Sequence, residues 1–291
     1  MNNYLLSVLL GIVEGLTEFL PVSSTAHLRI TEALLGIDLS NGYWKMYSIV
    51  IQLGAILCLP LYFRSRIARL FSTFPRGESG DRTVWNHPVS LVAIAFVCTA
   101  GPAFLLTKVI GKHLESLLVM GWSLLIGGII MWIVDRLFGK PRHGDHFPTE
   151  RVEEMSIPQA IWIGICQIAS AVFPGTSRSM STIAAGQVAG MSRPAALEFS
   201  FFLSMPTMVT ATLYDMWRTF HPKHGEPLGA MPASTEEWIV LIIGFVISFI
   251  VALGVVAWFM NWVRQRGFTP FAVYRIIVGI AVLVWVLKGR A

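Results

Sequence analysis

The stretch Gly11-Ile12-Val13-Glu14-Gly15-Leu16-Thr17-Glu18-Phe19-Leu20-Pro21-Val22-Ser23-Ser24-Thr25-Ala26-His27 sets two acids, two serines and a histidine inside an apolar segment. Ionisable groups at membrane depth are costly and are kept there mainly for function. Pro21 stops a first helix after only part of a bilayer thickness, and the hydroxyls behind it can cap a second one. The segment therefore reads as a re-entrant helix hairpin rather than a crossing helix. Bare peptide groups cannot face lipid, so such a break needs protein or a wet cavity around it.

A second stretch repeats the plan: Gly164-Ile165-Cys166-Gln167-Ile168-Ala169-Ser170-Ala171-Val172-Phe173-Pro174-Gly175-Thr176-Ser177-Arg178-Ser179-Met180-Ser181-Thr182-Ile183. Laid in register without a gap, Gly11 meets Gly164, Ile12 meets Ile165, Pro21 meets Pro174, Ser24 meets Ser177 and Ile30 meets Ile183. Identity is sparse, and the shared order of apolar run, Pro, hydroxyl cluster and second helix carries the comparison. Paired interrupted hydrophobic segments point to an inverted-topology repeat. The organisation expected is one integral membrane domain over 1–291, with a first half at 1–138 holding a hairpin near 4–36. A second half at 157–291 would hold a hairpin near 157–190.

Hydrophobic residues make up 54% of the chain and charged residues 13%, with mean hydropathy +0.64, where soluble domains carry about a quarter charged residues. Full-length apolar spans read near Met46 to Phe63, Ser90 to Ile110, Leu117 to Phe138, Phe199 to Trp217, Trp238 to Trp262 and Phe271 to Leu287. The fold class expected is thus an all-α polytopic membrane protein of about six transmembrane helices plus two re-entrant hairpins. The polar stretches 64–88, 139–156 and 218–237 read as loops with room for short interfacial helices.

Arg64, Arg66, Arg69, Arg76 and Arg82 follow the first span, Arg136, Lys140, Arg142 and Arg151 the third, and Arg264 and Arg266 the fifth. These places share one side of a six-span path, which the positive-inside rule assigns to the cytoplasm. Lys45, Lys108, Lys112, Arg218, Lys223, Lys288 and Arg290 form a sparser set on the other side. Both termini then face outward, and the two hairpins enter from opposite sides. The net charge of +5 calls for no nucleic acid, since basic loops beside anionic headgroups account for it. Cys58, Cys98 and Cys166 lack paired spacing and read as reduced core residues. The start Met1-Asn2-Asn3 lacks a basic n-region, so a cleaved signal peptide is not expected.

Glu14 and Glu18 are four apart and project from one helical face. Two neighbouring carboxylates in a dry setting share a proton or hold a cation between them, and oxygen ligands suit a hard divalent ion such as Mg²⁺ or Ca²⁺. Ser23, Ser24 and Thr25 supply hydroxyls at the tip. His27, three residues after Ser24, lies near enough on one face to take a proton from that hydroxyl or give one to a departing group. In the second hairpin, Pro174-Gly175 allows a tight turn. Thr176, Ser177, Arg178 and Ser179 then offer hydroxyls, backbone N–H groups and a guanidinium to an anion such as phosphate. In the gapless register Gln167 replaces Glu14, Ala171 replaces Glu18, and Arg178 stands where Thr25 does. One half holds acids, the other donors, and metal-assisted chemistry at a phosphate needs both. Arg275, inside the last span, is either a further buried cation for phosphate or an interfacial anchor. Glu198 is placed to pair with a site arginine, and Asp215 with the membrane edge near Arg218; neither these nor Gln52 reads as a catalyst.

With those residues in view, the sequence resembles the undecaprenyl-diphosphatase family of bacterial inner membranes, the bacitracin-resistance type. The resemblance rests on Glu14 to Thr25 with His27, on Pro174-Gly175-Thr176-Ser177-Arg178-Ser179 with Thr182, and on Pro270-Phe271 through Tyr274-Arg275. It implies hydrolysis of undecaprenyl diphosphate to undecaprenyl phosphate and inorganic phosphate, which recycles the lipid carrier of cell-wall synthesis. It also implies a divalent cation and a site opening toward the periplasm. By that carry-over Glu14 and Glu18 hold the metal or act as base, Ser24 is nucleophile or ligand, and His27 transfers protons. Ser177, Arg178 and Thr182 bind diphosphate, with Ser23, Thr25, Gly175, Thr176, Ser179 and Arg275 completing the substrate set. Ala26 and Met180 each stand where the family usually has glycine. Membrane lipids are the other expected partners, and a homodimer is left open. The rival reading is a lipid phosphate transporter or flippase, because inverted repeats with re-entrant hairpins also build alternating-access carriers.

Overall fold

A computed structural model of the chain describes residues 2–38, 41–106, 115–141, 146–221 and 229–289. Lys108, Lys112, Arg142, Lys223 and Arg290, which enter the charge reading, lie outside the described residues, as does the end of the second expected span. Six helical stretches are long and apolar enough to cross a bilayer: Gly42–Tyr62, Pro88–Leu105, Leu117–Phe138, Arg193–Phe220, Thr235–Arg266 and Thr269–Leu287. The chain is a multi-pass, all-helical membrane protein among its described residues. Its outward faces carry apolar side chains such as Trp122, Ile126, Ile133 and Ile277, each about half exposed or more, as lipid contact demands.

Two helix pairs stand apart from the crossing helices. The first is α1 (Asn3–Thr17) and α2 (Ser24–Leu34). It is followed by α3 (Gly42–Ile56), α4 (Cys58–Tyr62), α5 (Arg64–Ser72), α6 (Pro88–Leu105) and α7 (Leu117–Phe138). The second pair is α8 (Ile157–Val172) and α9 (Arg178–Val188), followed by α10 (Arg193–Phe220), α11 (Thr235–Arg266) and α12 (Thr269–Leu287). The helix starts follow local chemistry: Asn2, Asn41, Ser116, Ser192 and Ser234 cap with their side chains, satisfying amides that the helix cannot. α5 forms within a stretch expected to be loop with short interfacial helices, with Leu70 buried and Arg64 and Arg69 exposed.

Each pair returns to the end it started from. Asn3 and Leu6 of α1 share a cavity of about 300 Å³ with Leu35, Gly36 and Ile37 beyond α2. Gln159 of α8 donates to the carbonyl of Ala189 after α9 at 2.9 Å. The two pairs start at opposite ends. Asn3 bonds Glu236 at the start of α11, and Tyr43 at the start of α3 donates to the Glu237 carbonyl. At the other end, Glu153 just before α8 joins Arg66 of α5, which also holds Glu198 near the start of α10 at 2.8 Å. Glu198 thus pairs with this loop arginine and not with a site arginine as expected. Burial would raise the Glu153 carboxyl, and the Arg66 hydrogen bond, a backbone hydrogen bond and the charges of Arg66 and Arg151 together outweigh it, leaving it below the ordinary carboxylate value.

Asp135, near the end of α7, ties this second end together. It is 2% exposed and accepts from Gln187 of α9, Arg193 of α10, the Phe268 and Thr269 amides and the Thr269 hydroxyl at the start of α12. A charge this deep persists only where donors surround it. Laterally, α1 packs on α11 and α8 packs on α6, while α7 lies along α12. Gly11 and Gly164 make the first two contacts possible: a Cβ on Gly11 would come 2.9 Å from the Gly244 carbonyl, and one on Gly164 would collide with the Ala95 carbonyl. Backbones that approach this closely are a regular means of joining helices in lipid.

Candidate active site

The two breaks are built alike. Ser23 (φ 75°) and Ser177 (φ 72°) both occupy the left-handed region, a costly place for a residue with a Cβ. Each caps the helix that follows, its hydroxyl accepting from the amide three residues on, Ala26 for Ser23 and Met180 for Ser177. The caps set a register that differs by one from the gapless alignment. Three residues run from Pro21 to its cap and four from Pro174, because Gly175 and Thr176 replace the single Val22. Arg178 therefore corresponds to Ser24, each the first residue of its helix, and not to Thr25.

Those two first residues converge on Glu18. The Ser24 hydroxyl donates to Glu18 Oε2 at 2.5 Å, and Arg178 Nη2 donates to Oε1 at 3.1 Å. Gln52 Nε2 of α3 lies 3.5 Å from Oε2. Ser179 fastens the tips by donating to the Leu20 carbonyl at 3.0 Å, and its hydroxyl also meets that of Ser177 at 3.0 Å. One turn earlier on α1, Glu14 is fully buried, and neither of its oxygens has a hydrogen-bond partner. Arg178 Nη1 is likewise buried and unpartnered. An unsatisfied acid, an unsatisfied guanidinium nitrogen and a polarised serine hydroxyl thus occupy one interior region where the tips meet.

Several expected site residues point elsewhere. His27 does not engage Ser24: its Nδ1 lies 2.7 Å from the Ser23 carbonyl and its Nε2 2.8 Å from the Tyr274 hydroxyl. The group placed to take the Ser24 proton is Glu18. Thr182 bonds the Ser200 hydroxyl of α10 at 2.7 Å and the carbonyls of Arg178 and Ser179. One turn into α9, it braces that helix rather than reaching for an anion. Arg275 is 0% exposed, so it is no interfacial anchor, and only its Nε has no hydrogen-bond partner. Nη1 donates to the Pro21 carbonyl, and Nη2 to the carbonyls of Ser123 and Gly175, so one guanidinium clamps both tips to α7. Thr25 and Thr176 are half-buried beside the tips. Ala26 is packed with Met120 and Leu124 of α7, and Met180 approaches Gly127 of the same helix. The two departures from glycine thus occupy equivalent cap-bonded positions, filled by side-chain packing.

Gly175 accepts Arg275 only because it lacks a side chain. Its φ is 92°, and a Cβ would stand 2.9 Å from Met120 Cα and O. Gly175→Ala should cost about 1–3 kcal/mol of stability, measured as a lowered thermal midpoint in detergent, together with loss of turnover. Residues the sequence left without a role are Asp135, Tyr274 and Ser179 as a bridge. Asp135 beside Arg136 looks like an ordinary span end, and its burial comes from α9, α10 and α12, far away in the chain.

The profile of the family described as "Bacitracin resistance protein BacA" matches residues 7–281. A protein of Koribacter versatilis named undecaprenyl-diphosphatase is 67% identical over 290 residues, covering 99% of this chain and all of that protein. A protein of the same name from Bradyrhizobium is 40% identical over the whole of both chains, and one from Caldanaerobacter subterraneus is 38% identical over 94% of this chain and 93% of its own. A match that takes in both serine-capped tips and the Arg275 that joins them leaves one conclusion: the chain belongs to the BacA bacitracin-resistance family.

Proposed function

We propose that this protein hydrolyses undecaprenyl diphosphate to undecaprenyl phosphate and inorganic phosphate, in the bacterial inner membrane with the site open toward the periplasm. The activity recycles the lipid carrier for peptidoglycan synthesis and so confers bacitracin resistance. The observation that carries the reading is the Ser24 hydroxyl, 2.5 Å from one oxygen of a carboxylate whose other oxygen holds Arg178. Glu18 takes the Ser24 proton, and Oγ attacks the terminal phosphorus. The P–O bond to the lipid phosphate breaks, leaving phosphoserine. A water then attacks the phosphoserine, its proton passing to His27 and on to solvent, while Glu18 returns the proton it holds to the serine oxygen as phosphate leaves. Arg178 offers Nη1 to the phosphate oxygens beside the start of α9, where a helix N-terminus also favours an anion.

Oxygen donors such as the two acids suit a divalent cation, Mg²⁺ or Ca²⁺. Glu14 has no hydrogen-bond partner for either buried oxygen, and an unpaired buried carboxylate is costly. Glu14 and Glu18 would hold the ion, although among the described residues no group of three or more acid, His or Cys side chains gathers to hold a metal. When bound, it would neutralise charge building on the phosphates. The opposite starting ends of α1 and α8 and the paired serine caps support an inverted-topology repeat of two re-entrant hairpins. The basic end containing Arg66, Arg136 and Arg264 supports a cytoplasmic assignment for that side.

Purified protein in detergent should release phosphate from the lipid diphosphate with no second compartment present. A chain that moves lipid across vesicles and releases none would overturn the proposal. Activity should vanish on dialysis against EDTA and return with Mg²⁺ or Ca²⁺; undiminished release after chelation removes the cation from the scheme.

A further inference from the structure

We infer that Tyr274 is the positioning residue for His27, holding in place the ring nitrogen that exchanges protons; this rests on the hydrolase reading above. The Ser23 carbonyl can only accept, so His27 Nδ1, 2.7 Å away, carries the hydrogen. In the neutral ring Nε2 is then a bare lone pair, and the Tyr274 hydroxyl at 2.8 Å donates to it. The two rings lie nearly parallel, 12° apart with centroids at 5.6 Å, so the Ser23 carbonyl sets the tautomer while Tyr274 holds the plane of the imidazole and the direction of its lone pair.

The arrangement is held from both sides. Ser23 sits at positive φ, and its carbonyl accepts from the His27 amide as well as from the ring. Tyr274 precedes Arg275, whose guanidinium is fixed to both tips through three carbonyls. Consecutive residues of α12 thus serve different tasks: Arg275 faces the interior, and Tyr274, 44% exposed, meets the histidine at the edge. Any proton that His27 exchanges during turnover passes at Nε2, on the α12 side, while the Ser24 proton goes to Glu18. Acid and base duties are thereby separated across the first tip.

The test uses the full-length protein in detergent with Mg²⁺ and undecaprenyl diphosphate. Tyr274→Phe keeps the ring stack and removes one oxygen, so its thermal midpoint should stay near wild type. Its kcat should fall about tenfold or more with KM within about twofold, in the range expected for proton-transfer groups. On a His27→Ala background the same change should cost nothing further, because coupled residues are not additive. Nitrogen-15 spectra of histidine-labelled protein, with the His27 signal identified by its loss in His27→Ala, should show the Nδ1–H tautomer in wild type and, in Tyr274→Phe, an Nε2 resonance moved downfield by loss of the hydrogen bond to its lone pair. Wild-type kcat in Tyr274→Phe, additive losses in the double variant, or an Nε2–H tautomer in wild type would each overturn the inference. Failure of the hydrolase reading would appear separately, as no phosphate release from wild type with the tautomer still as stated.

Discussion

Glu18→Gln should abolish turnover by two or more orders of magnitude, of the order seen when an acid–base group is lost, and should also destabilise the protein. The carboxylate accepts from Ser24 and from Arg178. An amide cannot take the serine proton, and its neutral oxygen leaves the guanidinium, with a side chain 10% exposed, without a counter-charge. Removing one partner of a buried pair costs about 3–5 kcal/mol. The two effects separate in a second variant. Glu18→Gln with Arg178→Gln should recover much of the lost thermal midpoint, because neither member of the buried pair is left without its partner, while phosphate release stays absent. A double variant as unstable as the single, or one that turns over, contradicts the roles given to this pair. Arg178→Gln alone should also lose phosphate release, since the nitrogen facing the substrate goes with it.

Arg275→Met should be nearly as damaging, although Arg275 contacts no reacting atom in this scheme. It strands the carbonyls of Pro21 and Gly175 at the tips, each a loss of about 1–3 kcal/mol when buried and unpaired. The tips then lose the tie that holds Glu18 against Arg178. Lysine should not rescue: its compact ammonium does not reproduce a planar fork that donates from two nitrogens in fixed directions. Gly127→Ala should give a milder form of the defect, since a Cβ there would collide with Arg275 Nη2. The expected readouts are a lowered thermal midpoint and lost phosphate release for both, with Arg275→Met the worse. Normal turnover in Arg275→Met would mean that the tips hold their geometry unaided.

The spans were legible because lipid imposes a one-dimensional rule, about 20 apolar residues per crossing. Leu117–Phe138 was read to the residue. The tips were legible as breaks because Pro21 and Pro174 interrupt apolar runs followed by hydroxyls. The register between them was not, since proline is the conspicuous letter while the conformation is fixed at Ser23 and Ser177, and the second tip carries one residue more before its cap. Which way a side chain turns was also beyond the letters. His27 lies three residues from Ser24, yet its ring is captured by a backbone carbonyl and by a tyrosine 247 positions away. Arg275 looked like a ligand for phosphate because a buried cation ordinarily seeks an anion. Three carbonyls hold its two terminal nitrogens instead, and carbonyls leave no mark in a sequence.

Asp135 and Arg275 together bear on biogenesis. Asp135 sits in the first half of the chain, yet three of the donors it receives come from Phe268 and Thr269 at the start of the final helix. That helix also delivers the guanidinium joining the tips, so a nascent chain inserted only as far as α11 holds an acid short of three donors at one end and an unfastened pocket at its middle. Arrival of α12 completes both together, and maturation of the enzyme is thereby coupled to integration of its last transmembrane segment.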